Sequence, residues 1–516
     1  MALVKIYKNG EKTEVFAKNG ILISDFLDIS KHNIDYPCAR KGICKKCIVR
    51  AIGDLSSPSQ AETELFGNKL KDGYRLACLT KITGDCEIFL VEEKEIQVGK
   101  LREIKTDYKP YHQNLAIAVD IGTTTIAVSL YKKSERLSSA STKNPQINFG
   151  ADVISRIERQ LEGKKEELAN AVCEGINKLI VELCDKNNIL TEMIDKAVIT
   201  GNTTMLHLLA QEDCESLSKA PFEASYLAGN KVLAKDININ ISENAEIFLP
   251  NCFSAFVGAD ISTAILASGM ISKNETALLI DIGTNGEMAL WHNSRLACCS
   301  TAAGPAFEGV GIRCGMHGVV GAIDHISFEN AEFKVSTIGD VTAKGICGSG
   351  VIDAIAVMLE SGVLDETGTI DDMNENFEER IIDCDDDTMF EIQSGIGIYG
   401  KDVRAIQLAK SAICAGAESL VNAKGITSED IDVVYIAGGF GSFINIENAG
   451  KIGLIPSEFI PKVKVLGNAA LLGAEMLLLN KTLHKKVKEF TSEFDLIDLA
   501  TNSFFMDKYV ENMYFE

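Results

Sequence analysis

Four cysteines near the start of the sequence have the types and spacing of a metal or iron–sulfur centre. Cys38, Cys44 and Cys47 lie in YPCARKGICKKCIV, and Cys78 follows in YRLACLT, which gives Cys-x5-Cys-x2-Cys-x30-Cys. A 2Fe–2S cluster requires four thiolates, two for each iron, and a tight loop with three cysteines and a distant fourth can supply them. We therefore predict that Cys38, Cys44, Cys47 and Cys78 hold one such cluster, which would transfer single electrons.

The cysteine spacing resembles that of the ferredoxins. Its first gap is longer than in the plant type and is similar to the adrenal and putida-type branch. A tetrahedral zinc site is the alternative use of the same side chains, although zinc sites usually pair two Cys-x2-4-Cys units and Cys78 stands alone. The sequence disfavours Cys86 as an alternate ligand, because it begins an apolar run expected to form a buried strand.

Two later turns repeat one pattern of Asp, Gly and hydroxyl or amide side chains. LAIAVDIGTTTIAVSLY (115–131) and TALLIDIGTNGEMALW (276–291) place their Asp residues 281 − 120 = 161 positions apart. Such a turn can point backbone N–H groups and Thr hydroxyls at phosphate oxygens, while the Asp holds Mg²⁺ through water. Neither turn is a Walker loop, since no Gly-Lys-Ser/Thr follows. The predicted residues are Asp120 and Asp281 as catalytic groups, and Gly122, Thr123, Thr124, Thr125, Gly283, Thr284 and Asn285 as phosphate-binding groups.

A third element, VVYIAGGFGSF (433–443), leads an apolar strand into Gly438 and Gly439, where a nucleoside could lie flat on the backbone. Together the three elements resemble the phosphate-1, phosphate-2 and adenosine motifs of the acetate and sugar kinase, heat-shock chaperone and actin superfamily. That resemblance implies an ATP site with Mg²⁺.

The order of apolar runs predicts a fold of mixed α+β and α/β class. Residues 1–91 read as a β-grasp, ferredoxin-like domain, and the charged segment 92–114 reads as a linker. The repeated turns predict a duplicated, two-lobed ATPase of the actin and hexokinase type, with lobes at 115–275 and 276–516. A return of the C-terminal helix to the first lobe is compatible with this pattern.

Composition narrows the function classes. The 516 residues carry 51 Lys and Arg against 73 Asp and Glu, and this net charge of −22 disfavours binding to nucleic acid or anionic membranes. No uninterrupted apolar stretch is long enough for a membrane span, and the start lacks the pattern of a signal peptide. Fifteen cysteines, an odd number, do not suggest a disulfide framework. We expect a cytoplasmic protein.

Nearly the whole chain resembles the reductive activators of corrinoid-dependent enzymes. The segments that carry this resemblance include NPQINFGADVISRI (144–157), ITGNTTMLHLL (199–209), STAAGPAFEGVGI (300–312), GICGSGVID (345–353) and LGNAALLGA (466–474). The resemblance implies ATP-dependent reduction of an inactive cob(II)amide centre to cob(I)amide. The implied partners are a low-potential electron donor and a corrinoid protein, either of a methyltransferase system or the corrinoid iron–sulfur protein.

Two other functions stay open at this stage. One is a redox-sensing ATPase regulator, and the other is a small-molecule kinase fused to a ferredoxin. Some longer relatives have an extra segment between the ferredoxin and ATPase parts that this chain lacks, so a homodimer is compatible with the sequence but not indicated by it. For Glu287, Glu308 and Lys410, a structural or surface role is favoured over action in the cleft.

Overall fold

The computed structural model describes the chain except for residues 9–10, 31, 33, 35, 37–39, 41, 43–46, 91–103, 105, 330–331, 385–386, 440–442 and 516. The described chain forms two compact units. The first contains Met1–Lys94 and Asn144–Val172, and the second contains Glu95–Lys143 and Cys173–Glu516. No helix among the described residues is both long and apolar enough to cross a bilayer.

The first unit has a five-stranded sheet wrapped around short helices. Its strands are β1 (Ala2–Lys8), β2 (Glu11–Ala17), β3 (Ile48–Leu55), β4 (Tyr74–Leu76) and β5 (Ile82–Phe89), and its helices are α1 (Ile23–Ile29) and α2 (Gln60–Phe66). The sheet order is β2-β1-β5-β3-β4, with β1 and β5 parallel. The predicted β-grasp fold is confirmed, while the turn expected at Asn9-Gly10 lies outside the described residues. Helix α2 was not predicted, although Ser59 and Glu62 form a capping box at its start.

A later segment of the chain also belongs to the first unit. It contains α3 (Val153–Arg159), a π-helical turn (Gln160–Lys164) and the start of α4 (Lys165–Lys186). The backbone N–H of Tyr36 donates to Asn148 Oδ1 at 3.2 Å. The Arg156 side chain is fully buried and donates to the Gly150 carbonyl at 3.0 Å. The predicted domain boundary puts this segment in the first ATPase lobe, whereas the Tyr36–Asn148 bond joins it to the N-terminal residues.

The second unit contains two six-stranded sheets, and five strands of each are arranged in the same order. The first half of its chain supplies β6 (Leu115–Ile121), β7 (Thr125–Lys132), β8 (Glu135–Lys143), β9 (Ile194–Gly201), β10 (Asn230–Leu233) and β11 (Glu246–Leu249). The second half supplies β12 (Ala277–Ile282), β13 (Gly286–His292), β14 (Arg295–Thr301), β15 (Ala322–Glu329), β16 (Glu332–Thr337), β17 (Gly345–Ile346), β18 (Ile381–Cys384), β19 (Asp387–Gln393), β20 (Ile396–Tyr399), β21 (Val433–Ala437), β22 (Val463–Gly467) and β23 (Asp495–Leu496).

The two sheets run β10-β11-β9-β6-β7-β8 and β22-β21-β12-β13-β14-β23. In each, three consecutive strands form an antiparallel meander whose first strand also pairs in parallel with a later strand, β9 or β21. The predicted duplication is therefore confirmed. Two smaller sheets, β16-β15-β17 and β18-β19-β20, lie in the second half of the chain.

Helices pack against these sheets, and one helix from the second half of the sequence packs against elements of the first half. They are α5 (Thr203–Ala210), α6 (Glu215–Ser218), α7 (Ala259–Ser268), α8 (Gly348–Glu360), α9 (Gly400–Ala423), α10 (Ile446–Lys451), α11 (Ala469–Leu479), α12 (Thr482–Ser492) and α13 (Ser503–Glu511). Helix α11 packs on α7 and on strands β6 and β9 of the first half. A Cβ at Gly473 would lie 2.0 Å from the Thr263 carbonyl oxygen, so only glycine permits this close approach.

The C-terminal part of the predicted linker is hydrogen-bonded to the last residues of α11. The Lys109 and Tyr111 N–H groups donate to the carbonyls of Leu479 and Leu478 at 3.0 and 2.9 Å. Lys481 N–H donates back to the Lys109 carbonyl at 2.8 Å. These bonds satisfy carbonyls that the end of a helix leaves without partners. We call residues 106–113 the strap.

A buried ion pair holds α11 against the first sheet and yields a stability prediction. Arg136 donates to Glu475, whose side chain is fully buried. Arg136→Met should lower the free energy of unfolding by about 3 kcal/mol, because it leaves a buried carboxylate without its cation. The matched control is Lys451→Met, which breaks a surface pair with Glu360 and should cost under about 1 kcal/mol. Urea unfolding measures both, and equal losses would contradict the prediction.

Candidate nucleotide and cluster sites

The two repeated turns occupy equivalent places in the two sheets of the second unit. Asp120 and Asp281 are each the penultimate residue of a strand, β6 and β12. Each turn is closed by a backbone bond: Gly122 N–H donates to the Thr125 carbonyl at 2.9 Å, and Gly283 N–H to the Asn285 carbonyl at 3.1 Å. This closure leaves the Thr and Asn side chains at the strand ends.

One cavity of about 260 Å³ gathers the residues predicted for nucleotide binding. Its lining includes Asp120, Gly122, Thr123, Thr124, Thr125, Asp281, Gly283, Thr284, Asn285, Gly438 and Gly439. Residues up to 348 positions apart thus meet at one place, because the duplicated sheets present corresponding strand ends to the same cleft. Clefts of this kind are the usual sites of small-molecule binding.

Gly438 joins the third predicted element to the second turn. It follows β21, the parallel neighbour of β12, and has φ +109°. A Cβ at this position would lie 2.4 Å from the Ile282 carbonyl oxygen and 3.0 Å from Asp281 Oδ1. Only glycine fits here, because the positive φ disfavours other residues and a Cβ would clash with Ile282 and Asp281. The Gly438 backbone therefore lies directly against the Asp281 carboxylate.

Two asparagines that sequence analysis did not select position the first turn. Asn468 caps α11, accepting from Leu471 N–H, while its Nδ2 donates to Asp120 Oδ2 at 2.8 Å. Asn202 caps α5 in the same way and donates to Thr123 Oγ1 at 3.1 Å. An Asn immediately before an apolar helical run is a recognisable helix start, so this signal could have indicated both residues.

Four acidic residues line the cavity beyond those predicted, and one of them is Asp324 on β15. Asp260 stands in the first turn of α7, and Glu287 on β13 pairs directly across from Asp281. Glu308 accepts hydrogen bonds from both Thr124 and Thr284. The sequence favours a structural or surface role for Glu287 and Glu308. The structure places both side chains in the lining of the cavity.

Lys410 lies elsewhere, where a structural role fits. It is buried on α9 and donates to the Tyr514 carbonyl, with its ammonium 5.0 Å from the Phe515 ring. Lys410 therefore holds the C-terminal segment against the core and is not among the residues that line the cavity.

Burial raises the pKa of the cavity carboxyls well above ordinary values. Burial lifts the pKa of Asp120 to about 6, partly offset by the Asn468 hydrogen bond. Burial and neighbouring carboxylates lift the pKa of Asp260 to about 7 and that of Asp281 to about 8, and also raise the pKa of Glu287. Like charges in a recessed cleft disfavour ionisation, and a divalent cation would reverse this. The acidic cavity therefore fits Mg²⁺ carried with a nucleotide.

Two of the four predicted cluster ligands lie side by side in the first unit. The sulfurs of Cys47 and Cys78 are 3.2 Å apart, and both side chains are buried. Their mutual hydrogen bond outweighs burial and lowers the pKa of Cys47 to about 7. Thiolate character is what iron ligation requires, so this pair fits a cluster. Cys38 and Cys44 lie outside the described residues.

A buried carboxylate fixes the turn that carries Cys78. Glu62 Oε1 accepts from Arg75 Nε at 2.9 Å, Leu76 N–H at 3.0 Å and Thr80 Oγ1 at 2.9 Å. Although burial opposes ionisation, these bonds lower the pKa of Glu62 to about 2. Cys86 is different, because burial raises its pKa to about 11 and keeps its thiol protonated.

Comparison with known families divides the chain into three parts. Residues 6–83 match the 2Fe–2S iron–sulfur cluster binding domain, residues 115–273 match the RACo middle region, and residues 275–516 match the C-terminal domain of RACo, the ASKHA domain. The chain is 35% identical over 426 residues to the corrinoid activation enzyme RamQ of Eubacterium limosum, covering 77% of this chain and 70% of that protein. This chain belongs to the family of corrinoid activation enzymes.

Further members of this activator family extend the match. The chain is 25% identical over 429 residues to the Co(II) methylated amine-specific corrinoid protein reductase of Methanosarcina barkeri, covering 76% of each. A solved structure, the reductive activator for corrinoid, iron–sulfur protein, is 28% identical and superposes with a TM-score of 0.74 over 100% of this chain and 98% of that one. As an activator-family member, the chain is an enzyme with a 2Fe–2S cluster and a Mg²⁺-dependent ATP site.

The raised pKa values predict that nucleotide binding depends on pH. Protonated carboxyls must ionise before a cation binds, so the affinity for a non-hydrolysable Mg²⁺–ATP analogue should rise from pH 6 to pH 8. Binding at pH 7 should release on the order of one proton. Calorimetry in buffers of different ionisation enthalpy measures this release, and Asp281→Asn should reduce it. A binding enthalpy independent of the buffer would contradict the prediction.

Proposed function

We propose that this protein couples ATP hydrolysis to the one-electron reduction of cob(II)amide in a partner corrinoid protein, regenerating cob(I)amide. The observation that carries the proposal is the convergence of two phosphate turns and the Gly438 strand end on one acidic cavity, in a chain that also has a ferredoxin domain. Similarity to activators named for corrinoid proteins supports the choice of substrate.

In the ferredoxin domain, we assign Cys38, Cys44, Cys47 and Cys78 as the ligands of the cluster. The cluster, when bound, supplies single electrons at a low potential. The protein's own contribution is to hold the sulfur pair Cys47–Cys78 together and to fix the Cys78 turn through Glu62. Zinc is disfavoured by the ferredoxin-type family match.

In the ATPase cavity, we assign the phosphates to the two turns. The Thr123, Thr124, Thr125, Thr284 and Asn285 side chains, with the Gly122 and Gly283 backbones, are the donors to phosphate oxygens. Asp120 and Asp281 hold the hydrated cation, with Asn468 orienting Asp120. Gly438 and Gly439 provide the flat surface for adenosine. Mg²⁺, when bound, neutralises the charge that develops on the phosphates.

The need for ATP follows from the redox chemistry. Cobalt(II) in a corrinoid is hard to reduce at the potential of a 2Fe–2S cluster, so electron transfer needs another source of free energy. A nucleotide-driven rearrangement of the complex that alters cobalt ligation or traps the reduced state can supply it. The cavity is suited to drive such a change, because both halves of the duplicated fold contribute its lining.

The identity of the partner remains a choice between two predictions. Relatives named for a methylated amine-specific corrinoid protein and for the corrinoid, iron–sulfur protein have similar identities to this chain, 25% and 28%. Both corrinoid proteins therefore belong in the test. The low-potential donor and the cytoplasmic location stay predictions of the sequence, with which a homodimer is compatible.

Similarity to corrinoid activation enzymes disfavours the regulator and the kinase that the sequence left open, and each makes a different prediction. A regulator would bind a partner without corrinoid and would transfer no electron to cobalt. A kinase would phosphorylate a small acceptor and would not need the cluster. Corrinoid reduction that depends on both ATP and the cluster separates the proposed function from each alternative.

The decisive experiment is anaerobic visible spectroscopy of the protein with a cob(II)amide-loaded corrinoid protein and a low-potential reductant. We expect the cob(I)amide band to appear with Mg²⁺–ATP and not without it. Asp120→Asn should abolish the band while leaving the cluster spectrum unchanged, because Asp120 lies in the ATPase cavity and not in the ferredoxin domain. No band with either partner type, from protein with an intact cluster, would favour the regulator.

Cysteine variants test the electron route. Cys78→Ser should abolish cobalt reduction and alter the cluster spectrum, because it removes one proposed ligand. Cys86→Ser is the matched control: this cysteine is also buried in the first unit, but its pKa of about 11 marks a protonated thiol. Retained reduction in Cys78→Ser would refute the assigned ligand set, and loss of the cluster in Cys86→Ser would favour the alternate ligand.

A further inference from the structure

Glu308 connects the two phosphate turns through their own hydroxyl groups. Thr284 Oγ1 donates to Glu308 Oε1 at 2.8 Å, and Thr124 Oγ1 donates to Glu308 Oε2. Thr124 lies between β6 and β7, and Thr284 lies between β12 and β13. One carboxylate therefore joins the first half of the duplicated fold to the second, and all three side chains line the proposed nucleotide cavity.

The two hydroxyls are also donors that the proposed function assigns to ATP. A carboxylate presents two charged acceptor oxygens, as a phosphate group does, so Glu308 satisfies the same donors that a bound phosphate would. After burial, Asp260 and Asp120, the Glu308 carboxylate also raises the pKa of Asp281, so the two carboxyl groups interact. Phosphates arriving between the turns must compete with this resident carboxylate.

The backbone that carries Glu308 is firmly held. Glu308 ends the 3₁₀ turn Ala306–Glu308, whose Ala306 and Phe307 side chains are buried. Gly304 N–H donates to the Thr284 carbonyl at 2.9 Å. Gly309 has φ +75°, and a Cβ there would lie 2.4 Å from the Met316 carbonyl oxygen. Displacement by a ligand therefore rotates the side chain and leaves the carboxylate beside the turns.

We propose that Glu308 closes the phosphate site before nucleotide binds and, once displaced by ATP, is the proton acceptor for hydrolysis. In that step the water oxygen forms a bond to the terminal phosphorus, and the bond from that phosphorus to the bridging oxygen breaks. ADP leaves, and one proton of the water passes to the Glu308 carboxylate. Asp120 and Asp281 then serve the cation. This inference rests on the ATP site of the proposed function and identifies the general base for hydrolysis at that site.

The proposal predicts opposite effects on binding and on turnover. Glu308→Ala removes the competing anion, so a non-hydrolysable Mg²⁺–ATP analogue should bind about tenfold more tightly, the equivalent of one charge-assisted hydrogen bond. The same variant lacks the proton acceptor, so single-turnover ATP hydrolysis should fall about 100-fold or more. A purely structural role would weaken binding and turnover together.

Two further variants keep the test decisive. Glu308→Gln preserves the size of the side chain and one acceptor oxygen, so it should fold normally and still lose hydrolysis without losing affinity. Glu360→Gln is the control, since Glu360 pairs with Lys451 at the surface and does not line the cavity. Weaker analogue binding in both Glu308 variants, or hydrolysis within about threefold of the parent, would overturn the proposal.

These measurements use the full-length protein without a corrinoid partner. Absence of ATP-dependent cob(I)amide formation by the parent protein would refute the proposed function and leave the role of Glu308 intact. Normal cob(I)amide formation by the parent, together with unchanged hydrolysis in Glu308→Gln, would refute the role of Glu308 alone.

Discussion

Several acidic side chains lie close together in one recessed cavity. Their burial and mutual repulsion are the electrostatic constraint on which the proposed nucleotide site depends. The carboxyls of Asp120, Asp260 and Asp281 hold their protons up to pH values of about 6 to 8. Because these folded-state pKa values lie above those of an unfolded chain, ionisation as the pH rises towards 8 works against the folded state. A bound cation removes this penalty. The folded protein thus gains most from Mg²⁺–nucleotide at neutral pH and above.

Helix α11 is the element that makes this arrangement possible. Its first end holds Asp120 through Asn468, and its last carbonyls accept from the strap at Lys109 and Tyr111. Between these ends, Gly473 permits close contact with α7, whose first turn carries Asp260. An eleven-residue helix is about 16 Å long, so α11 spans the distance between these two contacts. Asp120 and the strap are therefore positioned by the two ends of the same helix.

Local patterns in the sequence predicted much of this structure. The β-grasp domain and the duplication were visible because alternating strands and the repeated Asp-Ile-Gly-Thr turns are local signals. Glu308 and Asn468 were not selected as site residues, because they lie 184 and 348 positions from their partners in the first turn and no periodicity records such pairs. The attachment of 144–172 to the first unit was missed for the same reason, since it depends on tertiary contacts such as that of Tyr36 with Asn148.

The choice of asparagine at positions 202 and 468 follows from two demands on one side chain. Each caps a helix, which needs an acceptor for a backbone N–H, and each also donates to the first turn. Aspartate caps helices equally well but has no donor when ionised, and at position 468 it would place another negative charge against Asp120. Serine has both functions but a shorter reach. At position 468 the amide satisfies both the helix cap and the Asp120 carboxylate, so one residue fixes the start of α11 and positions the first turn.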